Sequence, residues 1–212
     1  MSNLCNKVIT SCIAADCENP IFKGIESIGY VFNKSEIVSM SVEYNKTTNP
    51  TGSPNVITEI VMDTYEDDGQ DVSYTGFEVK QLGKTPFTGT TTSMAEGNVM
   101  NTFTETVTFV VPDNSPVAAM LLDNIANGKF VFVLKNEYNG SDTRGSYQVF
   151  GAKKGLVCTA MERDAYSDDT NGGWQVTLTA EGCPNSAMFL EHKTSTTVDT
   201  ADYLKTITDD CE

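Results

Sequence analysis

From Ser115 to His192 the spacing of apolar and polar residues changes from a helical to a strand-like period. It predicts one helix followed by about four short strands. Val117, Met120, Leu121 and Ile125 recur at helical spacing and predict one apolar face. Ser115-Pro116 supplies the start: serine caps free N–H groups, and proline suits the first helical position. Asn127-Gly128 supplies the stop, because glycine accepts the left-handed conformation that ends many helices. The predicted helix is therefore 116–127. Phe130-Val131-Phe132-Val133-Leu134 follows directly and is too short, too aromatic and too β-branched for a second helix. Its unbroken apolarity predicts a strand covered on both faces.

Two dipeptides, Asn139-Gly140 and Asn171-Gly172, are hairpin signals, since both residues tolerate positive φ. Between them, 146–150 and 156–162 read as strands. After the second turn the alternation is strict. Trp174, Val176, Leu178 and Ala180 face one way, and Gln175, Thr177, Thr179 and Glu181 the other, as in a strand with one dry face. The last strand of this run is predicted within 186–192.

Upstream the pattern is weaker. Residues 1–26 lack periodicity and read as an N-terminal arm. Strands are predicted at 29–32 and 36–44, around Asn33-Lys34-Ser35. A loop rich in Thr, Asn, Pro and Gly fills 46–55. The stretch 56–62 reads as a strand or as the start of a helix, with strand favoured. An acidic turn at 66–71 precedes loosely alternating 72–81. The segment 82–98 is Gly- and Thr-rich, yet carries Phe87 and Met94. A loop of this length is usually functional or mobile. Phe103, Val107, Phe109 and Val111 then alternate with threonines in a further strand.

These elements amount to about nine strands and one helix, without an internal repeat or linker. The predicted fold is mostly β: a single-domain sandwich or barrel over 27–195 with one flanking helix and a long loop. Arms at 1–26 and 196–212 bracket it. Strands bounded by long connections leave sheet edges open, which is a hazard in a monomer and an assembly surface in an oligomer.

Length and charge narrow the function. A chain of 212 residues can bury one sizeable core. A formal net charge of −15 argues against a protein that grips nucleic-acid phosphates, which requires clustered Lys and Arg. It is compatible with a surface that DNA passes without sticking, and equally with acidity that only serves solubility. No run approaches the roughly 20 apolar residues of a membrane-spanning helix. Residues 8–15 are weakly apolar and lack the basic start and long apolar core of a signal peptide. Glycosylation at Asn33, Asn45 and Asn139 is therefore not expected.

Candidate chemistry is sparse. The six cysteines are Cys5, Cys12, Cys17, Cys158, Cys183 and Cys211. The first three match no common zinc spacing, and the single histidine, His192, is remote in sequence. Reduced, mostly buried thiols are the default, and a disulfide within the N-terminal cluster stays open. His192 lacks a nucleophile elbow or a base pattern. The acidic clusters Asp67-Asp68 with Asp71, and Asp168-Asp169, sit in turn sequence, where Asp bonds its own backbone. Asp169-Thr170-Asn171-Gly172 only faintly resembles a calcium loop. Gly83-Lys84-Thr85 lacks the upstream glycine of a phosphate loop. Trp174 could offer a sugar platform, but its place in the alternation favours the core. No enzyme activity, cofactor or metal is expected.

The run 115–192 resembles the major tail tube proteins of long-tailed bacteriophages. The resemblance is carried by the short helix ending in Asn127-Gly128, by Lys129-Phe130-Val131-Phe132-Val133 and by the turn at Asn139-Gly140. Gly145-Ser146-Tyr147-Gln148-Val149-Phe150-Gly151, Leu156-Val157-Cys158-Thr159-Ala160 and the stretches 169–178 and 181–190 continue it. These motifs are turn-and-strand grammar rather than a chemical signature, and they cover about a third of the chain well. The resemblance implies a β-barrel or sandwich with a flanking helix. It implies hexameric rings whose inner sheets join into one barrel, stacked into a tube through long loops and terminal arms. The tube would be a conduit for DNA in the virion tail, assembled in the bacterial cytoplasm, with other tail proteins as partners and no membrane. Within that picture the segment 82–98, with Phe87 and Met94, is the expected contact between rings. Two other readings stand beside it. One is another virion component, such as a tail terminator or head-decoration protein. The other is a secreted carbohydrate-binding sandwich using Trp174.

Overall fold

The computed structural model describes residues 21–44, 49, 52–97, 100–138, 146–194 and 197–209. In chain order the first strands are β1 (Ile21–Asn33), β2 (Ile37–Val42), β3 (Val56–Met62), β4 (Thr64–Asp67), β5 (Gln70–Ser73), β6 (Gly76–Lys80), β7 (Thr91–Ala95) and β8 (Thr102–Val111). Helix α1 (Pro116–Asn127) follows, then β9 (Phe130–Tyr138), β10 (Tyr147–Phe150), β11 (Val157–Arg163), β12 (Trp174–Cys183) and β13 (Met188–Leu190). The chain closes with β14 (Lys193–Thr194), β15 (Thr197–Val198), helix α2 (Thr200–Thr206) and β16 (Thr208–Asp209).

The fold is mostly β. One sheet has the order β16-β6-β1-β9-β10-β13-β3-β2 and curls into a half-barrel. A second sheet, β11-β12-β8-β7, packs against one of its faces. The strand predicted to be covered on both sides, β9, lies near the middle of the large sheet between β1 and β10. Its side chains divide by parity. Phe130, Phe132 and Leu134 join Val107, Phe109, Val176 and Leu178 in the layer between the sheets. Val131 and Val133 join Tyr30, Phe32, Ile57, Ile60, Val149 and Leu190 on the other face. Each face thus removes large apolar side chains from water at about 1.5–3 kcal/mol apiece, the main force holding the curled sheet.

Helix α1 starts and stops where the sequence predicts. Ser115 Oγ accepts a hydrogen bond from the Ala118 N–H at 3.2 Å, and Pro116 opens the first turn. Two details differ. Gly128 is extended (φ −87°), not left-handed; a Cβ there would come within 2.2 Å of the Phe130 ring, so glycine is needed for clearance. The buried face is Ala118, Leu122 and Ile125, whereas Val117 (69 % exposed), Met120 and Leu121 point outward. Apolar residues occupy more than one side of this helix, so spacing alone could not select the inner side.

The strand predictions at 56–62, 146–150, 156–162 and in the alternating run from Trp174 hold. Val176, Leu178 and Ala180 are buried, with Trp174 half-buried against the same layer. Asn171 (φ 50°) and Gly172 (φ 74°) take the left-handed conformation expected of them, within the longer connection between β11 and β12. The turn at Asn139-Gly140 lies outside the described residues, as do residues 1–20. The acidic stretch at 66–71 forms the tip of the exposed β4–β5 hairpin, with Asp68 and Gly69 both at positive φ.

The arms and the long loop need correction. Residues 21–26, read as arm, belong to β1 and pair with β9 through Ile21 and Ile25. The segment read as a C-terminal arm folds back onto the domain: Leu204 of α2 is fully buried, and β16 pairs with β6. The segment 82–98 is not all loop, since β7 lies within it and pairs antiparallel with β8. No helix among the described residues is long and apolar enough to cross a membrane.

Candidate functional site

Phe87 and Met94, the two residues expected to share an intersubunit loop, occupy opposite environments. Phe87 is 3 % exposed and packs in the layer between the sheets, its backbone held at φ 54°. A bulky residue in that region costs roughly 1–2 kcal/mol, which burial of the ring offsets. Gly29 makes the room: a Cβ there would meet Leu134 Cδ2 at 2.5 Å and Phe87 Cζ at 2.9 Å. Phe87 is therefore a core plug. Met94 is 61 % exposed on β7, the end strand of the four-stranded sheet, where all five residues are exposed.

Met94 has counterparts at other sheet ends. Val38 is 62 % exposed on β2, which ends the large sheet, and Val157 is exposed on β11, at the far end of the small one. End strands present backbone N–H and C=O groups, and proteins that stay monomeric usually blunt them with charge. Here three of the end strands carry an exposed apolar side chain, and two of them, β2 and β7, bear no charged residue, whereas β11 also carries exposed Glu162 and Arg163.

A cleft of ≈ 600 Å³ opens between the two sheets, where β6 and β8 diverge beneath α1. Phe109, Ile125, Phe132 and Leu178 are among its lining residues, and Phe77 and Leu121 stand half-exposed at its edge. Gln81 bridges the divergence as a strand would. Its Nε2 donates to the Val110 carbonyl at 3.0 Å, and its Oε1 accepts from the Val110 N–H at 2.7 Å. Neither the cleft nor this bridge was legible in the sequence, because Gln81 carries no signal apart from its distant partner.

Titratable groups gather in two places. Buried Glu105 on β8 reaches across to the large sheet and accepts the Gly151 N–H at 2.6 Å. Burial pushes its carboxyl above the ordinary glutamate range, and the Gly151 bond only partly opposes this. His192 Nδ1 lies 2.6 Å from Asp199 Oδ1, and the imidazole stacks on Tyr203 at 4.1 Å between centroids. The Tyr203 hydroxyl donates to the Ile60 carbonyl at 2.7 Å and accepts from the Ile60 N–H. Thr194 donates to the second Asp199 oxygen, and that bond, followed by the His192 contact, holds the Asp199 carboxyl below the usual range. This cluster fastens α2 to β3 and to the end of β13.

Cys158 and Cys183 are free thiols, both pushed up by burial. Cys5, Cys12, Cys17 and Cys211 lie outside the described residues. Among the described residues no group of three or more His, Cys, Asp or Glu is gathered to hold a metal ion. No protein family matches the chain, and no curated protein or solved structure is significantly similar to it.

Proposed function

We propose that this chain is a structural virion protein that assembles into hexameric rings stacked as a phage tail tube. The observation that carries the reading is the exposed apolar side chain on three end strands: Val38 on β2, Met94 on β7 and Val157 on β11. Edge-to-edge pairing with a neighbouring copy would satisfy the backbone and cover those side chains together. The formal charge of −15 gives a tube wall that repels DNA and lets it slide. The same charge sets subunits against each other, so their contacts must be largely apolar or backbone-mediated. The resemblance in sequence grammar then selects a tail tube among β assemblies. Another virion component, such as a tail terminator, would use the same edges but stop at a single ring. Half-burial of Trp174 against the core disfavours the carbohydrate-binding alternative. Electron microscopy of the purified chain tests the proposal: stacked sixfold rings support it, single rings favour the terminator reading, and a lasting monomer overturns it.

A further inference from the structure

The cleft between β6, β8 and α1 opens where β8 loses a strand neighbour. β7 pairs with β8 only as far as Thr106, and beyond it two side chains stand where a strand would. Gln81 bonds both backbone groups of Val110, and Thr90 Oγ1 accepts the Thr108 N–H at 3.3 Å. Side chains close the edge of β8 without filling the space beside it. Val31, Val79 and Val111 pack against the buried layer yet stay only half-buried where they line the cleft, and Leu121 of α1 is half-exposed at its edge. We infer that this cleft is a binding site for one small, uncharged, largely apolar organic molecule.

Size, backbone chemistry and charge select that occupant. A space of ≈ 600 Å³ matches small-molecule sites, which run from about 300 to 1,000 Å³ and pair an apolar lining with a few polar groups. Here the floor holds the Phe109 and Phe132 rings, 5.4 Å apart between centroids, and the Asn124 amide supplies a donor and an acceptor. An extended peptide is disfavoured, because the β8 backbone groups it would pair with, at Thr108 and Val110, are already bonded to Thr90 and Gln81. The charged lining residues are Glu78 and Lys80, and they pair with each other at 2.9 Å. An anion therefore gains little counter-charge in the cleft and is repelled by a chain of net charge −15. A second copy of the chain meets the same repulsion, whereas an uncharged molecule does not. Its binding removes from water the valines and the leucine that two sheets and a helix leave uncovered. The inference goes beyond the tube reading and does not depend on it.

Fluorescence titration of the full-length protein, first stripped of apolar molecules on a lipophilic resin, tests it. The probe is N-phenyl-1-naphthylamine, an uncharged aromatic dye. One equivalent is expected to bind saturably. Its sulfonated counterpart, 8-anilinonaphthalene-1-sulfonate, should bind at least about tenfold more weakly, because the cleft offers the anion so little counter-charge. Leu121→Asp, and separately Val79→Trp, which fills the space, should each weaken binding of the uncharged dye at least about tenfold. Retained hydrogen-exchange protection of the β9 amides verifies the fold of each variant. Met94→Ser, which removes an exposed apolar side chain elsewhere, should leave binding unchanged. Absence of saturable binding, binding of several equivalents, equal affinity for the two dyes, or binding that survives both cleft substitutions overturns the inference. So does release of the dye as the protein is concentrated, which would assign the cleft to a second copy.

Discussion

The ring of Phe87 occupies the space a side chain at Gly29 would need: a Cβ built on Gly29 would lie 2.9 Å from Phe87 Cζ. The long connection before β7 is thereby pinned into the core at one point and left exposed beyond it. Phe87→Ala should cost about 3–5 kcal/mol, the range for emptying a buried aromatic site. Gly29→Ala should also destabilise, by overpacking, on the order of 1–3 kcal/mol. Urea unfolding of the purified variants checks both. A Phe87→Ala protein within 1 kcal/mol of the parent would show that the ring is not a core plug (about 1.4 kcal/mol being tenfold in the folding equilibrium).

Glu105 and Gly151 make a second tie between the sheets. Gly151 sits at φ 76°, and a Cβ there would meet the Phe130 carbonyl oxygen at 2.7 Å, so Gly151→Ala should be poorly tolerated. Glu105→Ala leaves the Gly151 N–H buried without its acceptor, at a cost of about 1–3 kcal/mol. The native Glu105 carboxyl is held above its ordinary value, so the folded state binds that proton more tightly than the unfolded state. Its contribution to stability is full below the ordinary glutamate range and declines as pH rises through the raised native value. Glu105→Gln cannot ionise and should flatten that part of the pH–stability curve. An unchanged slope in the variant would show that Glu105 does not titrate as its burial requires.

The C-terminal segment should respond to pH in the opposite sense. Asp199 is held low, first by Thr194 and then by His192. Its stabilisation is present above the ordinary aspartate range and is lost as pH falls through the depressed native value. Asp199→Asn should therefore loosen α2 at neutral pH, read as faster exchange of the Leu204 amide with β9 unaffected. Equal protection of Leu204 in the variant would show that the His192–Asp199 contact does not hold the segment.

Much of this architecture is legible because β9 and β12 state their surroundings in their own residues. Unbroken apolarity from Phe130 to Leu134 means two covered faces, and alternation from Trp174 means one. Ser115-Pro116 locates α1 to the residue, because a cap is a local interaction. What escapes the sequence depends on distant partners. The inner face of α1 is chosen by what packs beneath it, and Val117 and Leu122 look alike until then. Ala201, Leu204 and Ile207 carry helical spacing, but over so short a stretch that only the docking of Leu204 makes it decisive. Phe87 looked like a loop residue because the clearance at Gly29 lies far away in sequence.

Met94 is the residue at which edge assembly and folding separate. Its side chain is exposed and its strand ends the small sheet, so Met94→Glu should change monomer stability by no more than about 0.5 kcal/mol. It places a negative charge on an exposed edge of a chain whose formal net charge is already −15, and should suppress assembly. Sedimentation of parent and variant at matched concentration reads this directly, and normal assembly by the variant would remove β7 from the contact.

Negative-stain electron microscopy of the purified full-length protein over a range of concentrations puts the central claim to its most direct test. The account predicts sixfold rings that stack into hollow tubes of uniform diameter. A particle that remains monomeric at every concentration would contradict it.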